Sequence, residues 1–289
     1  MTKLLTALAI GAMVVFSSAP AAKAAEALEM FGKVELSGGA EREPHVSAGA
    51  RGTVEALGVL PLMPNFGLQG SMHYVGGLGS RAGVSVGPVF AWGSGKVGFF
   101  TAYQHRGLRD SDFVHVIPSF AWYLEQMNIS LWYAHPVTGA QRGGDRVEYG
   151  VNKIQGTVSY YPGSDWASFL RKDNVELTFG VQANTFAGAG HGKLGNTGIG
   201  GVAGVSFLPV QGVSVNLVRG TYDSKSRYKV SSGIDFFWGR GTTTLKDARR
   251  KYLEPNTDTP AAGGKVSPKS HVVVECGRPS GPSPKVSCP

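Results

Sequence analysis

The sequence lacks any long apolar run beyond its first 25 residues, where no window holds eighteen consecutive apolar residues. Since a membrane-spanning helix needs about 20, we predict no transmembrane helix in the body of the chain. Charged residues are few, at 17%. Glycine is abundant, with 42 residues, and β-branched and aromatic residues recur in short blocks. This composition favours many strands over helices.

Cysteine is nearly absent, because Cys276 and Cys288 are the only two and both lie near the C-terminus. An oxidising periplasm would let them pair, so we expect a disulfide that closes a proline-rich loop. Two unpaired thiols are the alternative. The seven histidines are spread singly over different segments, without the spacing of a metal site. The sequence therefore predicts no metal and no cofactor.

The N-terminal residues have the pattern of a secretory signal peptide. Lys3 precedes an apolar run over 4–16, and small residues follow up to Ala22-Lys23-Ala24. We expect cleavage after Ala24. Because no cysteine lies near that site, we expect no lipoprotein anchor. The mature chain is therefore predicted to be secreted.

Alternation of polarity is the main signal in the body of the chain. Between Met30 and Trp238 we distinguish twelve segments of about ten residues, bounded by Gly, Pro, Asn, Asp or Ser. They predict an all-β fold over 25–238, a single antiparallel up-and-down transmembrane β-barrel of about 12 strands in the outer membrane of a Gram-negative bacterium. Ten or fourteen strands would fit with other boundaries. The clearest segment alternates apolar Phe66, Leu68, Met72 and Tyr74 with Gly67, Gln69, Ser71 and His73.

The connections follow the rule that such barrels have short periplasmic turns and longer external loops. Predicted turns include 58–64 and 93–95, and predicted loops include 136–146 and 186–198. The connection Pro162–Asp173 is long for a periplasmic turn. Its Ser-Asp pair at 164–165 could cap a helical turn.

The alternation ends after Trp238. Residues 242–253 fit a short helix, and the remainder to Pro289 is rich in Pro, Gly, Ser and Thr. From Gly239 onward nine Lys or Arg stand against four acids, so most of the formal charge of +8 belongs to this segment. We predict a signal peptide over 1–24, the barrel over 25–238, and a basic, mostly disordered periplasmic tail over 239–289.

The last alternating segment, Ser232-Gly233-Ile234-Asp235-Phe236-Phe237-Trp238, resembles the β-signal of bacterial outer-membrane β-barrels. The resemblance extends over 25–238 to barrels of the porin-like kind and to no more specific family. It implies that the barrel assembly machinery inserts the chain through this strand. The residues that match the assembly signal are Ser232, Gly233, Phe236 and Trp238.

Inward positions of the predicted strands are mostly small or polar. Because barrels of about eight strands are filled by side chains and about sixteen leave an aqueous channel, twelve strands with such a lining predict a narrow pore. Only Phe100 and Trp132 are clear inward aromatics. The predicted pore-lining residues are Lys33, Glu35, Arg51, Glu55, Gln69, His73, Glu148, Glu176, Gln182, Asn216, Lys229 and Asp235.

The inward charges have mixed signs, which argues against strong ion selectivity. We expect them to pair across strands, since a buried charge needs a partner. Closure of the last strand on the first would bring Asp235 near Lys33 at the periplasmic rim.

Three functions fit these observations. Passive passage of small solutes is favoured, with the solute and the oligomeric state left open. A second hypothesis is a non-conducting surface or anchoring barrel whose basic tail contacts periplasmic anionic polymers. A third is a lipid-active enzyme that uses His105, although the motifs of such enzymes are not matched. Nucleic-acid binding is disfavoured, because the basic tail lacks interleaved aromatics, and we predict no enzymatic activity.

Overall fold

A computed structural model gives the fold of part of the chain. The predicted signal peptide, 1–24, and both cysteines lie outside the described residues. No helix in the described part is long and apolar enough to cross a membrane. The described ranges are 28–42, 48–77, 80–107, 111–138, 141–143, 146–163, 171–186, 198–223, 228–240, 242–253 and 261–265.

Twelve antiparallel strands form one closed barrel in which each strand pairs with its neighbours in sequence and the last strand pairs with the first. The predicted fold class is thereby confirmed. Two short strands, β8 (Gln141–Gly143) and β14 (Ala261–Lys265), add to β9, and one helix, α1 (Leu245–Arg250), follows the last wall strand. The wall strands are β1 (Phe31–Arg42), β2 (Gly49–Met63), β3 (Phe66–Gly77), β4 (Arg81–Trp92), β5 (Gly95–Arg106), β6 (Ser111–Tyr123), β7 (Met127–Pro136), β9 (Arg146–Tyr160), β10 (Val175–Phe186), β11 (Gly198–Val210), β12 (Val213–Asp223) and β13 (Tyr228–Gly239).

The strands form because their period-two pattern gives each one an apolar outer face. On β4, Val84, Val86 and Phe90 are exposed, whereas the intervening residues are buried. Leu68, Met72 and Tyr74 of β3 are likewise exposed, and Gln69 and His73 point inward. Exposed large apolar side chains recur on every wall strand except β6, as expected for a surface that contacts lipid.

The two ends of the barrel differ in their connections. One end, termed the turn end, carries the start of β1, the end of β13 and connections as short as Pro64–Asn65; the other is the loop end. The predicted turn over 58–64 is wrong, because β2 continues to Met63. Its alternation persists there: Val59 faces inward at 4% exposure and Leu60 outward at 49%.

Closure of the barrel sets the register of β1 against β13. Glu35 lies opposite Asp235, and Lys33 lies opposite Phe237. The predicted Lys33–Asp235 pair is therefore offset by two positions. The Nζ of Lys33 forms its salt bridges with Glu35 Oε2 at 3.2 Å and Glu55 Oε1 at 3.4 Å.

Candidate functional site

The helix α1 lies inside the turn end of the barrel. The chain leaves the wall at Gly239, whose φ of +140° is a conformation that side-chain-bearing residues rarely adopt. Leu245, Ala248 and Tyr252 are then almost completely buried. They pack against inward side chains from five parts of the wall, namely Phe31, Leu57 and Val59, Tyr161, Leu208 and Phe237.

Local sequence explains why a helix of only six residues forms here. Thr244 caps it, since its side chain accepts a hydrogen bond from the amide of Asp247 at 3.1 Å. Asp247 lies in the first turn, and Arg249 and Arg250 lie in the last, which matches the helix dipole. The helix falls within the segment 242–253 whose sequence predicts one.

The long connection between β9 and β10 receives the beginning of the helix. Asn174 Oδ1 accepts a hydrogen bond from the amide of Leu245 at 3.1 Å, and the carbonyl of Asp173 accepts one from the amide of Lys246 at 3.1 Å. The Lys246 ammonium forms an ion pair with Asp173 Oδ2 at 2.6 Å. The long connection therefore holds the beginning of the helix α1. The predicted helical turn at 164–170 lies outside the described residues.

Arg249 is the central polar anchor of the helix. Its Nε donates to Glu176 Oε2 at 3.0 Å, and its Nη2 lies 3.1 Å from Asp235 Oδ2. All three side chains are at most 6% exposed. The expectation that Glu176 and Asp235 pair across strands is therefore wrong, because both carboxylates form their ion pairs with Arg249 of the C-terminal segment.

Neighbouring polar groups complete this network. Asp235 also accepts hydrogen bonds from Ser214 at 3.1 Å and from Asn216 at 3.0 Å. The Tyr161 hydroxyl donates to Glu176 Oε1 at 3.0 Å. Burial and the nearby Glu176 carboxylate raise the pKa of Tyr161, so its hydroxyl keeps the proton that this bond requires.

The last helical turn contacts the opposite side of the barrel. Arg250 donates through Nε to Asn128 Oδ1 at 2.9 Å and through Nη2 to the carbonyl of Leu124. Its own carbonyl accepts a hydrogen bond from Lys96 Nζ at 2.6 Å. Together with Arg249, it fixes the helix to strands on both sides of the lumen.

Leu253 extends the seated segment further up the lumen. Its amide donates to Gln69 Oε1 at 2.9 Å, and its carbonyl accepts from Gln69 Nε2 at 2.7 Å. Its side chain is 3% exposed within an apolar cluster that includes Val89, Ala91 and Phe100. The lumen at the turn end is therefore filled, and apolar side chains line part of it, whereas the sequence predicts a mostly small or polar lining.

A cavity of about 250 Å³ lies above this segment. Basic residues predominate among its described lining residues, which include Trp132, the inward aromatic whose ring lies 5.1 Å from Lys153 Nζ. The four acidic lining residues are Glu35, Glu41, Glu55 and Glu176. The nine basic ones are Lys33, Arg42, Arg51, Arg81, Arg106, Lys153, Arg219, Lys229 and Arg249.

Among the described lining residues, the excess of positive charge lies in the loop-end half of this cavity. Glu41 accepts from both Arg51 Nη1 at 2.7 Å and Arg81 Nη2 at 2.8 Å, so one acid serves two guanidinium groups. Arg219 Nη1 lies 3.8 Å from Glu35 Oε2, and its side chain is 37% exposed. These positions favour a negatively charged solute over a positive one.

Most of the predicted pore-lining residues do face the lumen. Lys33, Glu35, Arg51, Glu55, His73, Glu176, Gln182 and Lys229 line the cavity. Gln69, Asn216 and Asp235 are buried around the C-terminal segment. The side chain of Glu148 lies outside what the structure describes.

Sequence reasoning missed further lumen residues. Arg81 and Arg106 are not among the pore-lining residues that the sequence predicts, although β4 and β5 include them and the alternation of these strands places both inward. Arg249 and Arg250 were missed because they lie beyond the last wall strand. No alternation signal could have placed them in the barrel.

His105 has an acidic neighbour on the outer surface. Its Nδ1 lies 2.9 Å from Asp112 Oδ1, which also accepts from the Tyr103 hydroxyl at 2.6 Å. Ser111, the next serine after His105 in the sequence, is 1% exposed and points to the opposite face of β6 from Asp112. His105 and Ser111 therefore do not form a nucleophile–base pair. Among the described residues, no three His, Cys, Asp or Glu side chains are arranged to hold a metal ion.

Comparison of folds relates the barrel to solved membrane proteins. A membrane protein from a study of in-meso crystallization matches with a TM-score of 0.56 and 12% identity, over 82% of this chain and 100% of the other. The NanC porin matches with a TM-score of 0.51 and 11% identity, over 70% of this chain and 98% of the porin. No family model and no curated protein sequence matches the chain. The fold is thus that of an outer-membrane β-barrel of the porin kind.

Proposed function

We propose that the protein is a narrow outer-membrane pore for small anionic solutes whose turn end is closed by its own helix α1. The supporting observation is a closed twelve-stranded barrel with an apolar exterior and a polar, predominantly basic cavity. The turn end faces the periplasm in this proposal, because short turns lie on that side of such barrels.

The preference for anions follows from the charges at the loop end. Arg51 and Arg81 lie near the loop ends of β2 and β4, where a solute arriving from the loops first meets the lumen, and Arg219 lies further in, near the middle of β12. Clefts lined by charges of one sign concentrate counter-ions within low-dielectric walls. A small carboxylate or phosphate would therefore be enriched in the cavity, whereas a cation would be depleted.

Because the helix α1 closes the turn end, solutes pass only when this segment moves. Residues 245–253 contact strands on opposite sides of the lumen through Arg249, Arg250 and Leu253. Steady conduction requires that this segment leave its seat or shift within it. The full-length barrel should therefore spend most of its time closed, with discrete openings.

Single-channel recording in planar bilayers tests both parts of the proposal. Under a salt gradient, the reversal potential of the open state should indicate anion preference. The double variant Arg219→Gln, Lys229→Gln should reduce this preference severalfold, since two lumen cations are lost. Lys172→Gln is the control, because Lys172 is an exposed residue of a turn-end connection. Cation preference in the unmodified chain would refute the proposal.

A second candidate function is a barrel that does not conduct and serves to hold its C-terminal segment. The buried ion pairs of Arg249 with Glu176 and Asp235 favour this function, because breaking them to open the lumen is costly. The two candidates differ in one outcome. A correctly folded barrel that stays silent even after Arg249→Ala has weakened the seat would support the holding function and eliminate the pore.

We also propose that β13 carries the assembly signal recognised by the barrel assembly machinery. Phe236 and Trp238 are 41% and 53% exposed on the outer face of the strand that closes the barrel. Replacing both by alanine should lower the heat-modifiable, folded fraction in the outer membrane. Val230→Ala, on the same face of β13, should have little effect. Equal loss in both variants would count against a specific signal.

A further inference from the structure

The C-terminal segment reappears at the far end of the barrel. β14 pairs antiparallel with β9, with Ala261 opposite Gly150 and Lys265 opposite Arg146. These residues of β9 extend beyond the wall at the loop end, since the pairing of β9 with β10 begins only at Val151. The helix α1 and the strand β14 therefore lie at opposite ends of the same barrel.

The position and direction of β14 follow from its pairing with the part of β9 that extends beyond the wall. β8 pairs with residues 146–148 of β9 and contacts β6, so it occupies the β7 side, and β14 occupies the opposite edge. This is the edge that β10 leaves after the pair Phe186–Val151. Because β9 runs from the loop end to the turn end, β14 runs outward, and Lys265 is its outermost residue.

The number of residues between Leu253 and Ala261 limits the path that connects them. Eight residue steps span at most about 26–29 Å. Leu253 is hydrogen-bonded to Gln69, which lies three residues above the turn end of β3. Gly150, the partner of Ala261, lies ten residues above the turn end of β9. With strands tilted by about 40°, the rise through the lumen is roughly 17 Å, and the rest of the span remains for the lateral distance across the lumen from β3 to β9.

The route outside the barrel is too long for these eight steps. It would descend to the turn end, pass beneath the wall and climb the lipid-facing surface, roughly 33 Å before any lateral distance is added. It would also expose unpaired backbone to hydrocarbon, which is costly. The lumen is the path that the chain length allows.

We infer that the chain threads its own barrel, enters the lumen at Gly239, and leaves at the loop end along β14. Residues C-terminal to Lys265, including Cys276 and Cys288, would then lie on the side that the loops face. In the proposed orientation this is the cell exterior, opposite to the periplasmic location that the sequence favoured. The inference goes beyond the pore, because the barrel would display this segment whether or not solutes pass.

Thiol labelling of intact cells tests this topology. The variant Cys276→Ser leaves Cys288 as the only thiol of the chain, and a polyethylene-glycol maleimide too large to cross the outer membrane reports its accessibility as a gel shift. Two reference variants use a background with both cysteines replaced by serine. Asn65→Cys marks the turn end, and Val137→Cys, at a residue 56% exposed next to β7, marks the loop end.

Cys288 should be labelled under the same condition as Val137→Cys and to a similar extent, while Asn65→Cys becomes labelled only from the other side of the membrane. Labelling of Cys288 together with Asn65→Cys would overturn the inference. So would a Cys288 that stays unlabelled after the membrane is permeabilised, because the residue would then lie within the barrel. Heat-modifiable migration verifies that each variant is folded, and conductance, measured separately, decides the pore proposal independently.

Discussion

The two halves of the lumen solve the problem of buried charge in different ways. At the turn end, Glu176 and Asp235 share one guanidinium group, that of Arg249. Arg249 belongs to the helix α1 inside the lumen and not to a wall strand. At the loop end, Arg51 and Arg81 share the carboxylate of Glu41, which belongs to the wall itself. The first arrangement binds a helix, whereas the second leaves a basic cavity.

This contrast continues along individual strands. The inward face of β4 begins with Arg81 at the loop end and finishes with Val89 and Ala91 at the turn end. The same strand therefore presents a charged surface to a solute and an apolar surface to Leu253. Substitutions at the turn end should therefore alter the open probability of the pore, and substitutions at the loop end should alter its ion preference.

Removal of the Arg249 side chain should have the largest effect on the turn end. Arg249→Ala leaves Glu176 and Asp235 buried without their cation, and breaking such a pair costs about 3–5 kcal/mol. We expect the helix to leave its seat and the single-channel open probability to rise sharply. Gln211→Ala, at an exposed residue of the turn between β11 and β12, serves as the control. An unchanged open probability would remove the link between the helix and closure.

Loss of apolar packing should have the next largest effect. Leu253→Ala removes a side chain that is 3% exposed within the apolar cluster that includes Val89, Ala91 and Phe100. Such truncations cost about 2–5 kcal/mol of stability. Hydrogen exchange of residues 245–253 in the membrane-embedded chain should accelerate, whereas the amides of β4 and β5 should not. Uniform acceleration of the whole barrel would instead mean that Leu253 supports the wall.

Loss of the helix cap should have the smallest effect. Thr244→Ala removes one hydrogen bond to the amide of Asp247, at a cost of about 1 kcal/mol. We expect a severalfold increase in brief openings, with no change in ion preference. Thr244→Ser should restore the unmodified behaviour, since serine caps as well as threonine. If serine fails to restore it, the methyl group and not the hydroxyl would be responsible.

Sequence alone indicated the wall well and the contents of the lumen poorly. Period-two alternation places residues such as Leu68 and Gln69 on the correct faces, because one face of each strand meets lipid. It cannot place Arg249 or Leu253, because their partners are distant in sequence and a six-residue helix has little periodic signal. Closure of the last strand on the first predicts a Lys33–Asp235 pair, but it gives no sign that Arg249 enters the lumen and contacts Asp235.

Hydrogen exchange of the full-length chain in lipid most directly tests whether the C-terminal segment is seated in the barrel. The amides of Leu245, Lys246, Ala248 and Leu253 all have hydrogen-bond partners in the seated state. We expect them to exchange slower than an unstructured peptide, on the order of a thousandfold. Exchange of 245–253 at the rate of a free peptide, beside a protected wall, would contradict the seated helix and with it the proposed closure.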